Sequence, residues 1–350
     1  MPVNAGTGGI HMKRFEGFMR GVDLGGWLSQ GSYDKEHLDS FIVEDDIKKI
    51  AGWGLDHVRL PVDYNILETD DGEDYEEGLA YVQKAVDWCG KYGLNIVLDL
   101  HKTFGFSFYS GYGESGFFQS EELQERYYKL WERLAKRFGK YSDRLCFELL
   151  NEVNDKELSD TWNKIIRTVI PRIRVFAPDT RIITGGYWNN SVDALYDLEK
   201  PYDENVVYTF HCYDPFLFTH QGGYWVDGMP EDLRVSYPGD INEYRIKIKE
   251  IGRADIQDYM DIDRFDASYF EGRFKGAIKL CEERGCALYC GEYGVIDRAS
   301  PEDTLRWYTD IHEAFEKAGI GRSAWNYKQM DFGLTDDRLS AILPELTERL

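Results

Sequence analysis

Two glutamates, each at the end of an apolar run, carry the clearest chemical signal in this chain. Glu152 ends Leu145-Cys146-Phe147-Glu148-Leu149-Leu150-Asn151-Glu152, and Glu292 ends Ala287-Leu288-Tyr289-Cys290-Gly291-Glu292. Runs of this length and composition read as buried strands. A carboxylate at such a strand end is held rigidly beside a core, where burial and neighbouring charges tune its pKa. Two carboxylates brought to one face suit cleavage of a sugar–sugar bond. One protonates the leaving oxygen, and the other attacks the anomeric carbon or activates water. This requires a fold that returns strand ends, far apart in sequence, to one mouth.

Six further runs resemble the two that carry the glutamates. In order, the expected strands are Met19–Leu24, His57–Leu60, Asn95–Leu100, Leu145–Leu150, Arg181–Thr184, Val206–His211, Ala287–Gly291 and Gly321–Trp325. Helical periodicity separates them over Val43–Trp53, Glu77–Tyr92, Glu121–Phe138, Asp160–Phe176, Ala267–Arg284 and Pro301–Lys317. Ser120 and Ser300 stand at N-cap positions, the latter before Pro301, and Gly93, Gly139, Gly285 and Gly319 follow helix ends. Strand–helix alternation of this kind predicts an α/β fold, a (β/α)8 TIM barrel. The surplus length falls into two elaborated loops, Thr103–Gln119 after strand 3 and Tyr213 to about Asp266 after strand 6. No linker or repeat divides the chain, so residues 12–350 are expected to form one catalytic domain. Met1–His11 reads as an expression-tag remnant.

Bulk properties narrow the partners. Of 350 residues, 41 are Lys or Arg and 63 Asp or Glu, a net charge of −22, so neither nucleic acid nor an anionic membrane surface is an expected partner. No run reaches the roughly 18 apolar residues of a membrane span. Aromatic residues make up 15% of the chain, a supply of flat apolar faces that suits sugar rings as well as packing. The six cysteines (89, 146, 212, 281, 286 and 290) lack CxxC or zinc-site spacing and read as buried free thiols. Neither metal nor cofactor is expected, and a monomer is. A cytoplasmic location follows from the lack of a signal peptide, or a secreted one if a signal was trimmed.

In a barrel, catalytic residues gather at the C-terminal strand ends. Those ends read Trp27, Arg59, His101, Asn151-Glu152, Trp188, His211 with Tyr213, Glu292 and Trp325. The pieces Gly21-Val22-Asp23-Leu24-Gly25-Gly26-Trp27-Leu28, His57-Val58-Arg59-Leu60-Pro61, Asp99-Leu100-His101, Leu150-Asn151-Glu152, His211-Cys212-Tyr213, Gly291-Glu292-Tyr293-Gly294 and Ala324-Trp325, in this order, resemble glycoside hydrolase family 5, the cellulase family of retaining β-glycosidases. The resemblance implies Glu152 as acid/base and Glu292 as nucleophile. It implies that Arg59 and Tyr213 bond the nucleophile, that Asn151 meets the sugar 2-hydroxyl, that His101 and His211 line the subsite, and that Trp325 lies under the sugar. Trp27, Trp188 and, further out, Lys328 with Asp331 are expected to contact substrate. Glu148, inside its strand, is expected to make a structural pair. The implied activity is endo-β-1,4-glucanase by double displacement on a β-linked glucan or oligosaccharide. A β-mannanase or exo-β-1,3-glucanase is the alternative within the family. A non-catalytic carbohydrate-binding barrel, and a metal-dependent hydrolase using His101 and His211, are the alternatives outside it.

Overall fold

Eight strands close into a parallel barrel in which every neighbour in sequence is a neighbour in space, and the last pairs with the first. They are β1 (Arg20–Asp23), β2 (His57–Asp63), β3 (Asn95–Lys102), β4 (Leu145–Glu148), β5 (Ile182–Thr184), β6 (Val206–Cys212), β7 (Ala287–Tyr293) and β8 (Gly321–Ala324). This computed structural model describes residues 12–109, 113–252 and 262–350. The leader read as a tag remnant lies outside them, as do parts of both long loops. Among the described residues no helix is long and apolar enough to cross a membrane.

Six long helices wrap the barrel: α1 (Glu44–Gly52), α2 (Glu76–Tyr92), α3 (Glu121–Phe138), α4 (Ser159–Phe176), α5 (Ala267–Arg284) and α6 (Pro301–Ala318). Their ends obey the local chemistry. The Ser120 and Ser300 hydroxyls accept from the backbone N–H groups of Leu123 and Asp303. Gly93, Gly285 and Gly319 close their helices in the left-handed conformation, with φ of 73°, 66° and 69°. Gly139 stays right-handed, because the chain runs on into the 3-10 turn Gly139–Tyr141. The alternation is less regular than expected in two places. Between β5 and β6 the connection makes only the short turn Tyr187–Asn190 and the 3-10 turn Val192–Asp197, and after β8 only the 3-10 turn Asp337–Leu339 and the short helix Leu343–Thr347.

The outer helices also pin the loops above the strands. Buried indoles donate to carbonyls just beyond strand ends: Trp131 to Leu149 at 3.1 Å, Trp162 to Gly185 at 2.9 Å and Trp307 to Asp214 at 2.8 Å. The Tyr127 hydroxyl adds a second bond to Leu149. A buried Trp or Tyr carries a large apolar body and needs a partner for its polar atom, and the departing loop supplies it. All six cysteines are buried and unbridged.

The barrel interior changes character along its axis. At the bottom, Phe15, Phe18, Val97, Cys146, Ile183, Val207, Ala287 and Tyr289 form an apolar plug. Above it sits Arg59 among Asp23, Asp99 and Glu148, all with no solvent exposure. Its guanidinium donates to Glu148 through Nε at 2.7 Å and Nη2 at 3.2 Å, and lies 3.0 Å from Asp99 and 3.4 Å from Asp23. Glu148 is thus the structural partner its place inside a strand implied. Burial pushes the carboxyls of Asp23, Asp99 (to about 7) and Glu148 upward, against the pull of Arg59.

A carboxyl whose pKa is higher folded than unfolded takes up protons on folding. Its contribution is present below the unfolded value, near 4, and is lost as pH rises toward the folded value near 7. Arg59→Met strands these carboxylates and should cost about 3–5 kcal/mol at pH 8. The loss should shrink at pH 5, where protons replace the missing cation. Guanidinium denaturation at the two pH values measures both; an equal loss at each contradicts the charge argument.

Candidate active site

Glu292 reaches the cavity through an irregularity in β7. The pairing of β6 with β7 shifts between Phe210 and His211, so that Cys290 pairs with Phe210 and Glu292 with His211, leaving Gly291 over. Such a bulge re-aims the side chain beside it. The site is tight, since a Cβ on Gly291 would stand 2.9 Å from Thr209 Oγ1 and 3.1 Å from His211 Nε2 and would have to displace one of them. Glu152 comes from the loop beyond β4, tied back by the Asn151 N–H to the Leu100 carbonyl of β3 at 3.0 Å.

The two glutamates face each other across His211. One carboxylate oxygen from each, with His211 Nδ1, all lie within 4.8 Å of one another. Glu292 accepts from Arg59 Nη1 at 2.8 Å and from the Tyr213 hydroxyl at 2.9 Å. Arg59 Nη2 also donates to Asn151 Oδ1 at 2.9 Å. Glu152 instead meets neutral donors: His211 Nδ1 at 2.7 Å from Oε1, and Asn189 Nδ2 at 2.9 Å from Oε2.

Burial sets the protonation states. It lifts Glu152 to about 7, against the Asn189 bond and the charge of Arg59. It drives His211 down to about 4 and lowers His101, so both rings are neutral at pH 7. With the Asn190 amide donating to His211 Nε2 at 3.3 Å, the ring proton sits on Nδ1 and points at Glu152. Burial and the charge of Glu292 raise Tyr213, which therefore remains a phenol and a donor.

A cavity of about 1650 Å³ opens over the pair. His101, Asn151, Glu152, Trp188, His211, Tyr213, Glu292 and Trp325 line it, while Arg59 stands behind them. Trp325 is 6% exposed and lies parallel to His101, with ring centres 5.9 Å apart. Gly25 makes its seat: a Cβ there would meet the indole at 2.3 Å. Trp188 is 52% exposed.

Two expected contacts are absent. Trp27 is fully buried, donates to the Leu38 carbonyl at 3.0 Å and stacks on Trp88, because the chain turns outward after β1. Lys328 is held away from the cavity by Asp46 at 3.2 Å and lies over Phe41. Asp331 does line the cavity and pairs with Arg298 at 2.7 Å. Asn189 and Asn190 escaped the reading of the sequence. Their only signal there is their type, since an Asn pair tolerates left-handed backbone.

Among the described residues, the grouping of potential metal ligands is Glu152, His211 and Glu292. It excludes His101, whose Nδ1 bonds Asp99 at 2.7 Å. The metal alternative required His101 and His211 at one centre, and His101 does not join this grouping.

A family model described as cellulase (glycosyl hydrolase family 5) matches residues 23–331. Cellodextrinase A of Ruminococcus flavefaciens is 47% identical over 311 residues, covering 89% of this chain and 86% of that protein. Endoglucanase C of Acetivibrio thermocellus is 38% identical over 337 residues, covering 95% and 98%. Among solved structures, endoglucanase Cel5A from Thermotoga maritima superposes with a TM-score of 0.76 at 24% identity, over 95% of this chain and 97% of that one, which bears on the fold. Family match and full-length relatives together place the chain in glycosyl hydrolase family 5, as an enzyme of the cellulase family.

Proposed function

We propose that this enzyme is an endo-β-1,4-glucanase that cleaves soluble β-glucan and cello-oligosaccharides with retention, Glu292 acting as nucleophile and Glu152 as acid/base. One observation carries the assignment: two facing carboxylates in opposite settings. Glu292 is bonded by a guanidinium and a phenol, whereas Glu152 is buried among neutral donors with a pKa near 7. Oxygens within 4.8 Å fit the retaining spacing of roughly 5–5.5 Å between carboxyl groups; inversion would need about 6.5–9.5 Å to admit a water.

In the first step a Glu292 oxygen bonds the anomeric carbon as the glycosidic C–O bond breaks, and the Glu152 proton passes to the leaving oxygen. In the second, water attacks the same carbon, its proton goes to Glu152, and the ester bond to Glu292 breaks. Asn151, with its Oδ1 engaged by Arg59, has its amide nitrogen to donate to the sugar 2-hydroxyl. Trp325 offers an apolar face beside the reacting ring.

The names of the relatives, cellodextrinase and endoglucanase, support a β-1,4-glucan. The net charge of −22 disfavours polyanionic glycans. Time-resolved product sizing on hydroxyethyl cellulose, cellopentaose, mannan and laminarin tests this. Mixed short cello-oligomers and a rapid fall in polymer viscosity are expected; preferential cleavage of mannan, or release of glucose alone from laminarin, would replace the substrate assignment.

Roles are separable by leaving group. Glu152→Ala should cost about 10²–10⁴-fold in kcat/KM on cellotetraose but far less in kcat/KM on 2,4-dinitrophenyl β-cellobioside, whose phenolate departs unprotonated. Glu292→Gln should remove turnover of both. Equal losses on the two substrates for Glu152→Ala would refute the acid role.

A further inference from the structure

Directly after β5 the backbone does something L-residues rarely do. Trp188, Asn189 and Asn190 lie in succession in the left-handed region, with φ of 51°, 54° and 56°. Asn visits this region singly; a run of three that begins with Trp is outside ordinary preference. Such a run persists only where its surroundings over-determine it. Here they do. The Asn189 N–H bonds the Val153 carbonyl at 3.0 Å, and the Ser191 N–H bonds the carbonyls of Tyr187 and Trp188. Trp162 holds the Gly185 carbonyl, and Gly185 leaves room for Asn190, whose Oδ1 would lie 2.2 Å from a Cβ.

The turn connects two consecutive amides to one carboxyl group, one directly and one through a histidine. Asn189 Nδ2 donates to Glu152 Oε2 at 2.9 Å. Asn190 Nδ2 donates to His211 Nε2 at 3.3 Å, and His211 Nδ1 reaches Glu152 Oε1 at 2.7 Å. We propose that the left-handed turn 188–190 is a positioning device for Glu152, in which Asn189 holds one carboxyl oxygen directly and Asn190 holds the other through His211. The inference rests on Glu152 being the acid/base.

This device has a chemical consequence. Donors on both oxygens fix the orientation of the carboxyl group and favour its ionised form, the form that must accept a proton from water in the second step. Burial works the other way, so the working pKa is a balance in which the Asn189 bond is the largest opposing influence. The other titratable or charged groups around Glu152 come from other elements: Arg59 from β2, Asp99 and His101 from β3, His211 and Tyr213 at β6 and Glu292 from β7. Changes at Asn189 leave all of them in place.

Two variants test the device. Asn189→Gly accepts the left-handed backbone without steric cost and removes the amide. Asn189→Asp keeps the shape and exchanges a donor for a carboxylate. On 4-nitrophenyl β-cellobioside, the alkaline limb of kcat/KM should rise by about half a pH unit or more in Asn189→Gly, and further in Asn189→Asp. On the 2,4-dinitrophenyl substrate, where the second step limits, kcat of Asn189→Gly should fall several-fold at pH 6 and recover as pH rises. The thermal midpoint of Asn189→Gly should be unchanged or higher. An unmoved limb in both variants, or one uniform loss at every pH, overturns the positioning role. The Glu152→Ala profile separates the causes. If its alkaline limb persists, the limb is not that of Glu152, and the acid assignment falls together with this inference. If the limb vanishes there yet stays fixed in both Asn189 variants, only this inference fails.

Discussion

A single buried cation organises the structure. Arg59, from β2, holds carboxylates from four other strands: Asp23 of β1, Asp99 of β3, Glu148 of β4 and Glu292 of β7. It also bonds Asn151, the residue before Glu152. An isolated charge in such a place would be very costly, and so would four carboxylates without it. The planar fork of a guanidinium can serve several acceptors at fixed angles, which a lysine ammonium cannot. The interaction that knits the upper barrel layer is therefore also the one that aims Glu292. Fold and site share a common cause at this residue.

The second glutamate is treated differently. Glu152 contacts no cation directly; its partners are a neutral imidazole and an amide. Burial then favours its protonated form near neutral pH, while Glu292, bonded by Arg59 and Tyr213, is placed to act as an anion. The difference comes from which strand ends meet: the β2 cation on one side, the left-handed turn after β5 on the other. Bonds from Trp131, Tyr127, Trp162 and Trp307 to loop carbonyls hold those ends in place, so the helices that build the outer layer also set the site.

Much of this is legible in the chain because strands announce themselves. Each of the eight apolar runs overlaps an observed strand, four of which run one to three residues further, and the polar residues at their ends converge on the cavity as a barrel requires. What is not legible depends on the direction in which loops turn and on distant partners. Trp27 and Trp325 look alike as indoles beyond strands, yet one faces the outer layer and the other the cavity. Lys328 is removed from the cavity by Asp46, a partner 282 positions earlier. The connection between β5 and β6 carries no long helix, and its backbone enters a conformation that propensity disfavours. Hence Asn189, which touches Glu152, gave no signal by position, whereas the Glu152 it serves did.

The central claim is that the carboxylate on Arg59 forms the bond to sugar while the carboxylate against His211 handles the proton. Incubation with 2,4-dinitrophenyl 2-deoxy-2-fluoro-β-cellobioside, followed by peptide mass spectrometry, addresses it directly, since the fluorine slows the second step and lets a covalent intermediate accumulate. One fluorocellobiosyl group per chain, on the peptide carrying Glu292, is the result expected. A label on Glu152, or full turnover by inversion with no label at all, would contradict the account.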